Sequence, residues 1–311
     1  MLKGEKILIT GPAGSIAHGL TRALAGDNEV WGIARFGDAP ARRGIDALGV
    51  TTRSIDLASG QFGDLPRDFT YVVHMAVAYV PSDYDQALRV NAEGTGFLLE
   101  HCRRAKAALV MSTCSVYKPH ADPWHAYRES DALGDSLSPN SPPYPISKIA
   151  QEGVARYCAR AFGLPVTIAR MNSAYGAAGG LPLMHARALA EGRCVEARWD
   201  PYPYNPIHAS DILWMLEPLL AAAAVPATIV NWGGDEAVTV QQWCDYMGGL
   251  LGVPAHVTIR HAEGDSRGNR IDTEKRTSLT GPSRMSWKDG LKQSLATLYP
   301  DRVQAAGALN T

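Results

Sequence analysis

Two side chains near the middle of the chain have the types and the spacing that proton transfer requires. Tyr144 and Lys148 stand four residues apart at the start of a predicted helix, and residues at that spacing share one helix face. A phenol normally holds its proton to about pH 10, and a nearby lysine lowers that pKa because it favours the phenolate. The pair therefore predicts a tyrosine that exchanges a proton with a substrate hydroxyl or carbonyl near neutral pH.

A turn near the amino terminus predicts a dinucleotide site. Residues 11–17 follow a predicted strand and open a predicted helix. Gly11 permits the tight bend, Gly14 lets the backbone approach a pyrophosphate, and Ala17 replaces a third glycine. The helix amino terminus would then face the phosphates. Glycines also occur in ordinary strand–helix turns, so the position of this turn between a strand and a helix carries the prediction.

The end of the second predicted strand favours NADP over NAD. In NAD sites an acidic side chain at this place binds the ribose hydroxyls, whereas an arginine can accommodate the 2′-phosphate of NADP. Here Ala34 occupies the place and Arg35 follows. The alternative is an arginine exposed to solvent. Asp56, after the third strand, could bond the adenine amino group or cap a turn.

Several polar residues are expected at the carboxyl ends of strands, where open α/β sheets bind ligands. The fifth strand ends in Ser112 and Thr113, with Ser115 close behind. One of these hydroxyls could donate a hydrogen bond to a substrate oxygen beside Tyr144. His74 ends another strand, and because no second ligand stands at a suitable spacing we predict a packed or hydrogen-bonded histidine and no metal.

Strands and helices alternate along the first part of the chain. Predicted strands cover residues 6–10, 30–34, 71–76, 108–112, 166–170 and 227–232, and predicted helices cover 16–25, 87–105, 144–162, 183–191 and 210–223. This alternation predicts an α/β fold, a doubly wound parallel sheet of the Rossmann type. The pattern changes after residue 171. We therefore predict a cofactor domain of residues 1–171 plus 205–235, and a smaller mixed substrate-binding lobe of residues 172–204 plus 236–311.

Composition narrows the class of protein and its partners. The chain has 311 residues, 46% of them hydrophobic, and a formal net charge of −1. Because no long basic run and no apolar run of membrane-spanning length occur, nucleic acid and membrane partners are not expected. Five scattered cysteines show neither zinc spacing nor a disulfide framework. The expected setting is cytoplasmic, with a strand that starts too early to leave room for a signal peptide.

Taken together, the motifs resemble the extended short-chain dehydrogenase/reductase family, which includes nucleotide-sugar epimerases and dehydratases. The matching segments are residues 10–17, 56–57, 73–76, 90–95, 112–113 with 116–117, 144–148, 170–176 and 207–211, in family order over residues 6–236. The resemblance implies a Rossmann fold, a bound NAD(P) and a catalytic trio of Ser or Thr, Tyr and Lys.

The resemblance also assigns roles to individual residues. It implies that Thr113, four residues before Tyr117, is the catalytic hydroxyl, with Ser112 and Ser115 as open alternatives. Asn91 matches an asparagine that helps to organise the site, and the helices holding Asn91 and Tyr144 would form a homodimer. The residues expected to bind the cofactor are Gly11, Ala13, Gly14, Ser15, Ile16, Arg35, Asp56, Leu57, Met75, Ala76, Tyr144 and Lys148.

The chain departs from the nucleotide-sugar pattern at positions that bear on the substrate. Dehydratases of the family carry an acidic pair after the catalytic threonine, and here Cys114 and Ser115 follow. Nucleotide-sugar members usually carry an arginine four residues before the histidine at position 208, and here Tyr204 stands there. Candidate substrate contacts are Ser115, Asn172, Tyr204 and Trp199.

These observations favour an NAD(P)-dependent oxidoreductase that moves a hydride between the nicotinamide and a secondary alcohol or ketone of a small-molecule substrate. The first alternative is a nucleotide-sugar 4-epimerase of the same family. The second is a non-enzymatic NADP-binding sensor, which would have no need of Thr113, Tyr144 and Lys148.

Overall fold

The computed structural model describes residues 2–136, 138, 141–261, 264 and 266–303. The chain divides into two compact units. Unit 1 contains Met1–Val116, Ser138–Arg170 and Leu213–Val230, and unit 2 contains Tyr117–Leu137, Met171–Ile212 and Asn231–Thr311. The sequence placed residues 117–137, 205–212 and 231–235 in the cofactor domain, whereas they group with unit 2 here. The functional division into a cofactor domain and a substrate lobe stays a prediction.

The described strands, in chain order, are β1 Lys6–Thr10, β2 Glu29–Ala34, β3 Thr51–Ser54, β4 Tyr71–His74, β5 Ala107–Thr113, β6 Val166–Met171, β7 Ala174–Gly176, β8 Gly179–Gly180, β9 Val195–Ala197, β10 Pro203–Tyr204, β11 Ile207–His208, β12 Thr228–Trp232, β13 Val238–Thr239 and β14 Val257–Ile259. Seven of them form one sheet in the order β12-β6-β5-β4-β1-β2-β3, and the others form small sheets of two or three strands.

The large sheet is doubly wound. Strand β1 pairs in parallel with both β2 and β4, and the pairs β2–β3 and β4–β5 are also parallel. Every residue of β4 and of β6 is buried, as expected for strands covered by helices on both faces. The strand order reverses between β1 and β4, and such a switch point opens a crevice beyond the carboxyl ends of the strands. The predicted Rossmann architecture is confirmed.

The described helices are α1 Ala17–Ala25, α2 Ala39–Asp46, α3 Tyr84–Leu88, α4 Gly94–His101, α5 Pro143–Phe162, α6 Leu181–Ala190, α7 Ala209–Ala221, α8 Val240–Leu251, α9 Glu274–Thr280 and α10 Trp287–Leu298. Proline in the first turn of α5 and Gly163 in a left-handed conformation after its last residue are the usual start and stop signals of a helix. None of the described helices is both long and apolar enough to span a bilayer.

The helix predicted over residues 87–105 is present up to His101, but it contains a π-helical turn that the sequence did not predict. Helices α3 and α4 are separated by a π-helical turn at Arg89–Glu93. The Thr95 hydroxyl donates to the Asn91 carbonyl oxygen at 2.6 Å, which satisfies a backbone group near the widened turn. Apolar periodicity does not show such a turn, because the helix continues in nearly the same direction. Turns of this kind are frequent at functional sites.

Each unit has its own hydrophobic core. In unit 1, residues of β1, β4, β5 and β6 pack against α4 and α5. In unit 2, apolar residues of α6, α8 and α10 surround Trp243, which is fully buried.

A buried ion pair joins α5 to the sheet. Arg170 of β6 donates two hydrogen bonds to Glu152 of α5, from Nε to Oε1 at 2.9 Å and from Nη2 to Oε2 at 2.8 Å. The Ser112 hydroxyl of β5 donates to Glu152 Oε1 at 2.6 Å. The two charged side chains are only 2% and 4% exposed, so neither charge can turn to water if its partner is removed.

Glu152→Gln is expected to lower the free energy of unfolding by about 3–5 kcal/mol, because it leaves the Arg170 guanidinium buried without its counter-charge. Urea denaturation measures this change. Asp27→Asn is the control, since its ion pair with Lys3 is exposed and such pairs contribute little. Similar losses in the two variants would contradict the buried-pair argument.

Candidate active site

A cavity of about 570 Å³ opens at the carboxyl ends of β1, β2 and β4, the place where the strand order reverses. Eight predicted cofactor residues line it, namely Gly11, Ala13, Gly14, Arg35, Asp56, Leu57, Met75 and Ala76. Ser15, Ile16, Tyr144 and Lys148 are not part of this lining. Sequence reasoning did not assign to the cofactor the wall formed by Phe36, Gly37, Asp38, Ala41, Val77 and Val90; of these, only Val90 stands in a matching family segment.

The turn after β1 has the shape that a pyrophosphate requires. Gly11 has a φ of +66°, and a Cβ at this position would lie 3.1 Å from the Ala76 Cα atom. Its N–H donates to the Ile33 carbonyl at 2.8 Å, which holds the turn against β2. Helix α1 then begins without a side-chain cap, whereas Asp38 caps α2. The uncapped amino terminus of α1 fits a phosphate group.

Arg35 lies on the rim of the cavity directly after β2. Its side chain is exposed, and among the described residues its guanidinium makes no hydrogen bond or ion pair. Arg42, by contrast, donates to Thr52 at 3.0 Å and lies over the Phe36 ring. The carboxylate of Asp56 accepts from the Ala58 N–H at 3.1 Å, so the turn-capping alternative is realised.

Thr113, Tyr144 and Lys148 are brought to the carboxyl end of β5. Thr113 is the last residue of β5; its hydroxyl donates to Ser115 Oγ at 3.3 Å and is near enough to the Tyr144 phenol to lower the pKa of that phenol. Lys148, one turn further along α5, donates from Nζ to the Met111 carbonyl oxygen of β5 at 2.7 Å. Tyr144 is half-buried and Lys148 is 2% exposed. The strand and the helix thus place a phenol, a hydroxyl and an amine at one edge of the sheet.

Burial shifts both ionisable groups toward their neutral forms. It raises the pKa of Tyr144 to about 12, opposed by the hydrogen bond with Thr113. It lowers the pKa of Lys148 to about 7, opposed by the charge of Glu152. The expected lowering of the Tyr144 pKa by Lys148 is not found in this structure. The reason is that the Lys148 amine is directed to Met111 and, near neutral pH, carries only part of its charge.

The Asn91 side chain forms its hydrogen bonds with Ala78 and Ser147. Its side-chain oxygen accepts from the Ala78 N–H at 2.8 Å, and its amide donates to the Ala78 carbonyl at 3.0 Å and to the Ser147 hydroxyl at 2.9 Å. Ser147 in turn donates to the Tyr144 carbonyl at 2.9 Å. Asn91 therefore links the segment after β4 to the first turn of α5.

The other hydroxyls and the thiol near Thr113 have different roles. Ser112 is turned to Glu152, and the buried Cys114 thiol donates to the Arg170 carbonyl at 3.3 Å. Ser115 lies next to Thr113, whose oxygen accepts the Ser115 N–H at 3.2 Å. Of the three open candidates, Thr113 is the one that contacts Tyr144, with Ser115 beside it.

The remaining predicted substrate contacts lie in unit 2, and their side chains have local partners. Asn172 accepts from the N–H groups of Ser173 and Asn205, at 2.8 and 2.9 Å. The Tyr204 ring lies 5.5 Å from Trp243 between ring centroids. The Arg267 guanidinium lies 4.4 Å from the centre of the Trp199 ring. Their use in substrate binding stays a prediction.

Sequence reasoning also missed a tyrosine beside the candidate catalytic phenol. The Tyr79 ring lies 5.2 Å from the Tyr144 ring, and its hydroxyl is 2.9 Å from Ser138 Oγ. Tyr79 is 53% exposed. No sequence signal could have found it, because it stands 65 positions before Tyr144 in an irregular segment.

Comparison with known proteins gives the family. The sequence profile of the NAD dependent epimerase/dehydratase family matches residues 7–195. A dTDP-D-glucose 4,6-dehydratase from Dictyostelium discoideum is 26% identical over 193 residues, which cover 55% of this chain and 44% of that protein. The chain therefore spans less than half the length of this curated relative.

Solved structures of similar fold cover almost the whole chain. A UDP-glucuronic acid 4-epimerase from Bacillus cereus, in complex with UDP-glucuronic acid and NAD, has a TM-score of 0.78 at 22% identity, covering 98% of this chain and 99% of the other. A UDP-glucose 4-epimerase from Thermotoga maritima, with UDP-glucose, has a TM-score of 0.79 at 19% identity, covering 95% and 99%. At these identities the likeness shows the fold alone.

The chain belongs to the NAD dependent epimerase/dehydratase family, and the predicted relationship to the extended short-chain dehydrogenase/reductases is confirmed.

Gly11→Ala is expected to weaken NAD(P)+ binding at least tenfold and to destabilise the fold by more than about 1 kcal/mol, because a side chain is strained at positive φ. Gly19→Ala is the matched control. Gly19 lies in α1 with open space around it, so alanine should stabilise the helix by up to about 1 kcal/mol and leave affinity unchanged. Calorimetric titration and thermal denaturation measure both effects. Equal affinities in the two variants would contradict the assignment of the turn.

Proposed function

We propose that the protein is an NAD(P)-dependent oxidoreductase that interconverts a secondary alcohol and a ketone, with Tyr144 as the acid/base. The observation that carries the proposal is the grouping of Thr113, Tyr144 and Lys148 at the carboxyl end of β5. Residues lining the cavity beyond β1 would hold the adenosine half of the cofactor, with its pyrophosphate at the amino terminus of α1. When bound, the nicotinamide supplies or accepts the hydride.

Each member of the trio has a defined task in this proposal. The Tyr144 phenol donates its proton to the substrate oxygen during reduction, and the Tyr144 phenolate accepts a proton from the substrate hydroxyl during oxidation. The Thr113 hydroxyl, at the same edge of the sheet as Tyr144, orients the same oxygen. Lys148 has three N–H donors when protonated, and one of them is used by Met111, so two are available to bind ribose hydroxyls. Proton transfer by a positioned group typically contributes about 10²–10⁴-fold to the rate.

Sugar dehydration is less well supported, although a dehydratase is among the relatives. The position after Thr113 holds a thiol that already donates to the Arg170 carbonyl. Ser115 follows, and neither residue is a carboxylic acid. Elimination of water from a sugar needs a second acid/base pair, and these positions do not provide one.

Nucleotide-sugar 4-epimerisation is the second candidate function. It is the activity named for the Bacillus cereus and Thermotoga maritima structures, and it would use the same trio twice in one turnover. Tyr204 argues against this function. It occupies the position where nucleotide-sugar members usually have an arginine, and its ring packs on Trp243. The two functions differ in net redox change. Purified protein that interconverts UDP-sugars without any change in nicotinamide absorbance would replace our first proposal by the second.

Tyr144→Phe is expected to reduce kcat by at least about 10²-fold, because the proton donor is lost, while NAD(P)+ affinity changes little. Turnover of a ketone and alcohol panel, followed by nicotinamide absorbance, measures the first effect and titration calorimetry the second. Tyr157→Phe is the control, since Tyr157 lies on the same helix and is 68% exposed. Full activity in the Tyr144 variant would rule out the assigned proton transfer.

We further propose that the cofactor is NADP. The support is the exposed Arg35 guanidinium on the rim of the cavity, together with Ala34 where an NAD site would carry an acid. An arginine at this place pairs with a 2′-phosphate. The Bacillus cereus structure contains NAD, so this preference would distinguish the chain from that protein.

Arg35→Ala is expected to weaken NADP+ binding about tenfold or more, because one charge-assisted contact to the 2′-phosphate is lost, and to leave NAD+ binding unchanged. Titration of both nucleotides by calorimetry measures the ratio of the two affinities. Arg103→Ala, an exposed arginine outside the cavity, is the control. Tight NAD+ binding by the unmodified protein, without NADP+ binding, would exclude this preference.

The homodimer and the cytoplasmic setting stay predictions. Phe97 of α4 and Tyr157 of α5 are 39% and 68% exposed, which is compatible with packing of these helices against a second copy.

A further inference from the structure

The Thr10 hydroxyl stands at the centre of a buried set of hydrogen bonds below the cavity. Its oxygen accepts from the N–H groups of Met75 and Ala76, at 3.0 and 2.9 Å. It also lies 2.7 Å from His74 Nδ1. Both N–H groups can only donate, so together they occupy the two lone pairs of the Thr10 oxygen. The third contact, to His74, must therefore be made by the hydroxyl proton. Nδ1 of His74 is therefore an acceptor without a proton.

This assignment fixes the rest of the chain of hydrogen bonds. A neutral imidazole with a bare Nδ1 carries its proton on Nε2. His74 Nε2 lies 2.7 Å from the Thr95 hydroxyl and donates to it. The Thr95 proton goes to the Asn91 carbonyl at 2.6 Å. Gln151 of α5 also donates to the Thr95 oxygen at 2.9 Å, and its side-chain nitrogen lies 3.2 Å from His74 Nε2.

The surroundings keep His74 in this neutral form. The side chain is 1% exposed. Burial, and secondarily the charge of Lys148, lower its pKa to about 3. An imidazolium would carry a proton on Nδ1 and would compete with the Thr10 hydroxyl, which could then no longer donate there.

We propose that His74 is a positioning residue for the cofactor site, acting through Thr10 on the backbone of Met75 and Ala76. Both residues line the cavity, and Ala76 is the neighbour that Gly11 approaches. At its far end the same network reaches Asn91, whose side chain holds Ala78. One buried imidazole therefore fixes residues 75–78 from both ends. The inference rests on the proposed function only in taking this cavity as the NAD(P) site.

Substitutions at Thr10 and His74 test the proposal with NADP+ and NAD+ as the probes. Thr10→Val removes the hydroxyl at nearly constant volume and is expected to weaken the preferred nucleotide about tenfold, the size of one or two hydrogen bonds. Thr10→Ser retains the hydroxyl and should restore affinity to within about twofold. His74→Phe should weaken nucleotide binding to the same extent as Thr10→Val. The double variant should bind little more weakly than either single variant, because both substitutions remove the same hydrogen bond.

A second buried histidine of unit 1 provides the control for loss of stability alone. His101 stacks on Phe62 and contacts the Leu65 and Pro66 carbonyls, away from the cavity lining. His101→Gln should lower the melting temperature and leave nucleotide affinity unchanged. If Thr10→Val and His74→Phe also lower the melting temperature but bind nucleotide as well as the unmodified protein, His74 has no positioning role.

Nitrogen NMR of the ligand-free protein tests the network without any nucleotide. The His74 resonances, assigned by their loss in His74→Phe, should show a protonated Nε2 and a bare Nδ1 near neutral pH. A proton on Nδ1 would overturn the proposal. If the unmodified protein bound neither nucleotide, the proposed function would fail while this spectrum still decided the hydrogen-bond assignment.

Discussion

Helix α5 buries four polar side chains, and the partners that three of them find in the sheet and in α4 hold the helix that carries the candidate catalytic residues. Lys148 donates to a strand carbonyl, Gln151 donates to Thr95, and Glu152 binds both Ser112 and Arg170. A buried polar group without a partner costs roughly 1–3 kcal/mol, and more if it is charged. These bonds together oppose any rotation or shift of α5 along the sheet. Tyr144 lies on the first turn of α5, so its orientation depends on the bonds that Lys148, Gln151 and Glu152 make from the following turns.

The same burial determines the protonation of the site before a ligand arrives. The pKa of Tyr144 is raised to about 12 and that of Lys148 is lowered to about 7, and burial is the first cause in both cases. At neutral pH the tyrosine is therefore a phenol, which can give a proton but cannot take one. This state suits reduction of a carbonyl. Oxidation, or the first half of an epimerisation, requires a positive charge close enough to the phenol to favour its ionised form.

The sequence was sufficient for features that depend on neighbours along the chain. The alternation of strands and helices gave the doubly wound sheet, and local spacing placed Gly11, Thr113, Tyr144 and Lys148 at its carboxyl edge. The partners that fix these residues are distant: Thr10 bonds His74, 64 positions away, and Ser112 bonds Glu152, 40 positions away. Such pairs have no signal in one sequence. The π-helical turn at Asn91 was missed for a related reason, since it alters hydrogen bonding without altering the apolar pattern.

The choice between net redox chemistry and epimerisation depends on the positions where the chain departs from the nucleotide-sugar pattern, and on what the side chains at those positions contact. Cys114 is not a spare functional group, because its thiol bonds the carbonyl of Arg170, the residue that anchors Glu152. Tyr204 is part of an aromatic cluster with Tyr202 and Trp243. At both positions the family's polar function has been replaced by packing or by a local hydrogen bond. The cofactor turn, the trio and the network around His74 carry no such replacement. The departures from the nucleotide-sugar pattern at Cys114 and Tyr204 therefore coincide with side chains that have local partners, and this is the structural basis for preferring net redox chemistry in our proposal.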